Sequence, residues 1–200
     1  MVGCGFNNCL YASEQNNRIY KVALGQNNTM SYWDVANNPQ GLSVTSSHNL
    51  LVAMTGNNAL YEYSTDGGLI RQISLQPAGI SNPVYAVQLS DDHYGVIHHG
   101  PTHQFSIVSS DGQLVQSYRG DAGNMSTPHG IAVDERGRVF VADQVNNRVL
   151  VINRKTLSAY PLRLPDDCTL NAPYSILFDS VNSRLYIGEW NGGRVICCKI

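Results

Sequence analysis

Short runs in which every position is apolar, divided by polar turns, dominate this chain, and the clearest example lies between Ser126 and Ile152. Three strands are predicted there, Gly130 to Val133, Val139 to Ala142 and Arg148 to Ile152, with cores IAV, VFVA and VLVI. Their lack of alternation predicts small sheets buried on both faces. Asp134-Glu135-Arg136-Gly137 joins the first two strands, its Gly supplying the positive φ of a tight hairpin. The second connection, Asp143 to Asn147, is polar and Asn-rich. Antiparallel sheets covered on both sides are obtained by packing them about a common axis, like the blades of a fan.

The same stretch recurs. A Pro followed by an apolar strand stands at Pro39, Pro83, Pro128 and Pro173, with spacings of 44, 45 and 45 residues. That period is the length of a four-stranded propeller blade, roughly 40 to 45 residues. The first position of a strand tolerates the missing N–H of Pro, which is a physical reason for it to return there. Second strands and their loops repeat as CLYASEQNNRIYKV, LLVAMTGNNALYEY, VFVADQVNNRVLVI and RLYIGEWNGGRVICC, while the blade holding Tyr94 to Val108 diverges, with HHGPTH in its loop.

The prediction is an all-β propeller domain over residues 1–200, of four-stranded antiparallel blades, about five in number: 1–36, 37–80, 81–125, 126–170 and 171–200. The first blade is clipped, since Met1 to Cys4 align with the end of an innermost strand. The last stops at Ile200, after its third strand. Open sheet edges and an unpacked blade face are liabilities. The chain is therefore expected to be an incomplete part of a larger ring, or to close with imperfect geometry.

Pro-x-Gly-Ile-Ala-Val-Asp, then Val-Phe-Val-Ala-Asp, then Asn-Asn-Arg-Val, resembles the NHL repeat, with residues 126–152 matching best and the quality falling outwards over the rest of the chain. The resemblance implies six blades in the complete ring. It also implies a setting like the C-terminal recognition module of TRIM-NHL ubiquitin ligases.

Composition narrows the picture. A hydrophobic share of 42% suits one globular domain with a sizeable core, and the formal net charge is only −2. No apolar run approaches the roughly 20 residues that cross a bilayer, and no basic segment precedes an apolar one at the start, so no membrane contact is expected. Five cysteines, an odd number without a C-x-x-C pair, point to reduced thiols in a cytoplasmic protein. Asn27-Asn28-Thr29 and Asn124-Met125-Ser126 are sequons that would suit a secreted chain.

Function is expected on one face of the disc, where the connection into each inner strand meets the loop after each second strand. The first set carries Gln40, Val84, His129 and Tyr174 directly after the Pro, around the mouth of the central channel. The second set is Ser13 to Asn17, Met54 to Asn58, His98 to His103, Asp143 to Asn147 and Glu189 to Gly193. Variable loops on a repeated scaffold are the usual place for recognition. Gln40, His98, His99, His129, Gln144, Arg148, Tyr174 and Trp190 are accordingly the candidate partner-binding residues.

The ligand expected is a protein or peptide, anchored by aromatic side chains. RNA is the alternative, since several TRIM-NHL propellers bind it through a basic loop face and Trp190, Tyr174 and His129 could stack on bases. Against it, Asp143 with Arg148 and Glu189 with Arg194 are spaced to form ion pairs that staple their own loops, which removes the basic footprint. DNA is not expected.

Neither a catalytic residue, a cofactor nor a metal is predicted. A related propeller, the peptidyl-hydroxyglycine amidating lyase, holds zinc with three histidines near its channel, yet only His129 stands at a matching position here, beside Gln40, Val84 and Tyr174. His98, His99 and His103 cluster in sequence, and His99 with His103 could chelate a metal, but the reading preferred is polar loop residues facing water.

Overall fold

A computed structural model describes residues 1–4, 7–14, 16–25, 28–90, 92–118, 120, 122–165, 167–191 and 193–200. Asn27 of the first sequon, and Gln15 and Gly192 of the predicted loops, lie outside the described residues.

Apart from one turn of 3-10 helix at Thr55–Asn57, the regular structure described is all β. The first sheet runs β1 (Val2–Cys4), β2 (Cys9–Glu14), β3 (Arg18–Ala23) and β4 (Thr29–Asp34). The second has β5 (Pro39–Val44), β6 (Leu50–Met54), β7 (Ala59–Tyr63) and β8 (Leu69–Ser74). In the third, β9 (Pro83–Ser90), β10 (His93–His99), β11 (His103–Ser109) and β12 (Leu114–Ser117) follow in order. The fourth contains β13 (Pro128–Val133), β14 (Arg138–Asp143), β15 (Arg148–Asn153) and β16 (Ala159–Pro161). The fifth has three strands among the described residues, β17 (Pro173–Asp179), β18 (Arg184–Glu189) and β19 (Val195–Lys199). Sequence neighbours are sheet neighbours throughout, which is the meander of a propeller blade.

Two compact units result, Met1–Gly100 with Ser106–Gln116, and Pro101–Phe105 with Ser117–Ile200. In the first unit β6 shows why the strand cores do not alternate. Leu50, Val52 and Met54 enter one cluster with Tyr11, Ile19, Leu42 and Tyr63, while Leu51 and Ala53 enter another with Ala86, Tyr94 and Val96. Both faces are covered, so all five positions are buried. Each large side chain of this kind stabilises the fold by about 1.5–3 kcal/mol.

In the second unit the fourth and fifth sheets share a core of Phe140, Ala142, Val149 and Val151 against Ile176, Leu185 and Ile187. The motif's Gly has a steric cause here. A Cβ on Gly130 would lie 2.8 Å from the backbone N of Ile176 and 2.8 Å from the carbonyl O of Tyr174, so only Gly lets β13 approach β17 this closely. Gly41 meets the same constraint from the carbonyl O of Val84, 2.6 Å from its would-be Cβ.

The four repeated prolines are the first residues of β5, β9, β13 and β17, as the spacing predicts. Gly137 adopts φ +75 in the turn between β13 and β14, where the Asp134 carboxylate accepts the N–H groups of Arg136 (3.0 Å) and Arg138 (2.7 Å). All five cysteines are free thiols, with Cys4 and Cys9 buried and Cys197 exposed.

Candidate functional site

The loops at the ends of the second strands are fastened by a recurring device. In the second unit Asn147, in the left-handed conformation at φ +51, accepts the backbone N–H of Ala172 on its Oδ1 at 2.7 Å. In the first unit Asn17 does the same for Asn38 and Asn58 for Asn82, each at 2.9 Å. The residue held is always the one before the repeated Pro. It too sits at positive φ, +51 for Ala172, +56 for Asn38 and +51 for Asn82, a region that side chains other than Gly seldom occupy. The amide therefore acts as a latch on a strained connector. Before Pro128 the same role falls to a histidine, whose Nδ1 accepts the N–H of Thr127 at 2.7 Å, and that histidine is His103.

A second device uses charge. The Asp143 carboxylate, with no exposed surface, accepts the N–H of Ser126 (2.6 Å), the amide of Asn146 (2.8 Å) and Nε of Arg148 (2.7 Å). The Arg148 guanidinium then donates to the carbonyls of Ala122 (2.5 Å), Gly123 (3.1 Å) and Asn124 (3.2 Å). In the next blade Glu189 accepts the N–H of Asn171 at 2.7 Å and Nε of Arg194 at 2.6 Å, while Arg194 donates to the carbonyl of Thr169. The bond from Arg194 holds the Glu189 carboxyl below its usual range. Both predicted ion pairs form, and each clamps a loop to the preceding connector.

On this pedestal lie three rings. His129 follows Pro128, Tyr174 follows Pro173, and Trp190 follows Glu189 at the end of β18. Ring centroids are 4.2 Å apart for His129 and Tyr174 and 4.9 Å for Tyr174 and Trp190, with interplanar angles of 30° and 37°. Trp190 is 65% exposed and Tyr174 37%. The Trp190 backbone is pinned by its N–H to the carbonyl of Ala172 at 2.9 Å, so the latch at Asn147 and the ring at Trp190 bear on one residue. Val145, in the neighbouring loop, is also exposed.

The other candidates are placed differently. Gln144 is half-buried, and its carbonyl accepts the N–H of Asn147 at 3.1 Å. Arg148 belongs to the clamp. In the first unit Gln40 is half-buried, with its carbonyl accepting the Ser13 hydroxyl at 2.5 Å. His98 corrects the expected loop boundary. It lies on β10, buried, with Nε2 3.1 Å from the Ser106 hydroxyl, because β10 continues to His99 before the chain turns. His99 ends that strand, and its N–H donates to the carbonyl of Asn82 at 3.0 Å. The sequence cluster of histidines is thus dispersed into a strand core, a strand end and a latch. Among the described residues no three His, Cys, Asp or Glu side chains are grouped so as to hold a metal ion.

Comparisons agree with this geometry at the level of fold. Residues 125–152 match the NHL repeat. Over 120 residues the chain is 27% identical to Protein brain tumor of Drosophila melanogaster, a match covering 58% of this chain and 11% of that protein. Among solved structures it superposes on a chain of the nidogen/laminin complex with a TM-score of 0.74 and 18% identity, over 96% of this chain and 73% of the other. Virginiamycin B lyase from Staphylococcus aureus gives 0.64 and 14%, over 95% and 66%. The chain spans about a tenth of the first relative and just under two thirds of the lyase. The fold is an all-β propeller with about five antiparallel blades.

Proposed function

We propose that this propeller is a non-catalytic recognition module that docks a protein or peptide segment on the loops carrying His129, Tyr174 and Trp190. The observation behind this reading is the run of rings, half-buried at His129 and exposed at Tyr174 and Trp190, on loops whose own acids and arginines are all engaged internally. Rigid exposed aromatics are the side chains from which protein interfaces draw most of their energy. Variable loops of a repeated scaffold are where such anchors are usually presented.

Within that reading, the chain supplies substrate recognition to a ubiquitin ligase of the TRIM-NHL kind. The NHL match at residues 125–152 and the likeness to Protein brain tumor support this finer proposal. A RING or B-box encoded in the same transcript would support it, and a transcript without either would remove it.

Retention of mixed-sequence RNA on filters at two salt concentrations separates this reading from nucleic-acid binding. Weak retention, indifferent to Trp190→Ala, is expected. Tight, strongly salt-dependent retention that Trp190→Ala abolishes would overturn the peptide reading.

A further inference from the structure

We propose that the segment docked on His129, Tyr174 and Trp190 is an uncharged, proline-bearing peptide in the polyproline II conformation. The inference rests on the reading above, that this face takes a peptide, and adds which one.

Charge decides first. In the two loops beside the rings, Asp143 to Arg148 and Glu189 to Arg194, the charged residues are two acids and two arginines. Each acid is paired with its arginine, at 2.7 and 2.6 Å, and neither carboxylate has exposed side-chain surface. A basic ligand residue finds no available carboxylate in these loops. Both guanidiniums are bonded to backbone carbonyls of the preceding connectors, so an acidic one finds no uncommitted cation. Desolvating a ligand charge there would go uncompensated. A neutral segment is the complement of this surface.

Shape decides next. The rings step by 4.2 and then 4.9 Å and tilt by 30° and 37° at each step, a corrugated row at whose end Trp190 is 65% exposed. The row therefore spans at most about 9 Å, no more than one turn of polyproline II covers, three residues at about 3.1 Å each. Proline rings on such a helix are apolar, rigid and already ordered, so seating them against aromatic edges costs little conformational entropy. The backbone carbonyls of a proline segment, which have few N–H partners of their own, need donors. Asn147, exposed in the adjoining loop, is held through its Oδ1 and can offer them its amide N–H groups. Gly-rich or charged segments lack the rings, and β-strand addition would need an open sheet edge here rather than a row of aromatic side chains.

The test uses the whole chain and fluorescence polarisation with two labelled probes, a short peptide of prolines and alanines and the same peptide with every proline replaced by alanine. The proline probe is expected to bind at least roughly tenfold more tightly, and Trp190→Ala to lose that binding while Trp190→Phe keeps most of it. Equal affinity for the two probes, or no binding of the proline probe, overturns the proposal. A random-peptide display selection run alongside, counter-screened on Trp190→Ala, distinguishes the two levels. Trp190-dependent binders without proline sink this inference and leave the peptide-docking reading standing, and a selection with no Trp190-dependent binder sinks both.

Discussion

The Nδ1 atom of His103 accepts the backbone N–H of Thr127 at 2.7 Å, in the place that Asn147 occupies for Ala172. The acceptor requires His103 to carry its ring proton on Nε2. One imidazole and three amides thus hold the residue before a repeated Pro, each in the left-handed region.

Losing a latch leaves a connector N–H unpaired. Asn147→Ala is expected to destabilise the protein by about 1–2 kcal/mol, because Ala172 is buried and its donor would have no acceptor. Asn147→Gly keeps access to φ +51 and isolates the hydrogen bond from the backbone strain. Urea denaturation of both variants measures the two contributions. Equal stability of wild type and Asn147→Ala would show that the latch does not hold the connector.

The clamp makes a stronger statement. Asp143 is wholly buried and Arg148 largely so, and taking one partner away leaves the other uncompensated. Arg148→Ala should cost about 3–5 kcal/mol. Arg194→Ala should cost clearly less, since half the Arg194 side chain is in water. Thermal melts of the two variants side by side test the ordering.

Gly130 couples the fold to the ring strip. Gly130→Ala puts a methyl group 2.8 Å from the Tyr174 carbonyl, so β13 and β17 must separate and carry His129 and Tyr174 with them. Loss of stability together with weaker peptide binding is expected. Reduced stability with unchanged binding would mean that the strip does not depend on this close approach.

Alkaline pH reaches the core through tyrosine. Burial pushes the phenols of Tyr63 and Tyr85 up to about 12. The folded state therefore retains those protons where the unfolded chain, near 10, releases them. Their contribution to stability is whole below about pH 10 and is lost as pH rises through 12. Absorbance at 295 nm, a phenolate band, should show a late-titrating fraction that includes Tyr63 and Tyr85. All 11 ionising together near 10 in the folded protein would contradict the burial described.

Much of this was legible in the residues. The repeated Pro marked strand starts, the non-alternating LLVAM and VFVA runs marked sheets covered on both sides, and five-residue separations marked both ion pairs. What escaped were relations set by neighbouring blades. The Asn-Asn pairs read as loop residues, because a sequence pattern does not reveal that one amide reaches a connector more than twenty positions away. His103 is a different residue type in the amide's role, and with His98 and His99 beside it the sequence equally suits a metal-chelating loop. His98 reads as a loop residue because β10 is a residue or two longer than its counterparts and ends in polar side chains. Trp190 and Tyr174 were recognisable as aromatics on the right loops. That they touch, with His129, follows from the packing of two blades forty-five residues apart.

Hydrogen exchange in a complex with a selected peptide examines the docking claim most directly. Protection confined to residues 128–130, the loop following β14, and residues 172–175 and 189–191 is the result expected. Protection centred instead on exposed outer strands such as Met30–Tyr32 or Leu69–Ile70, with the Trp190 loop unchanged, would contradict the account.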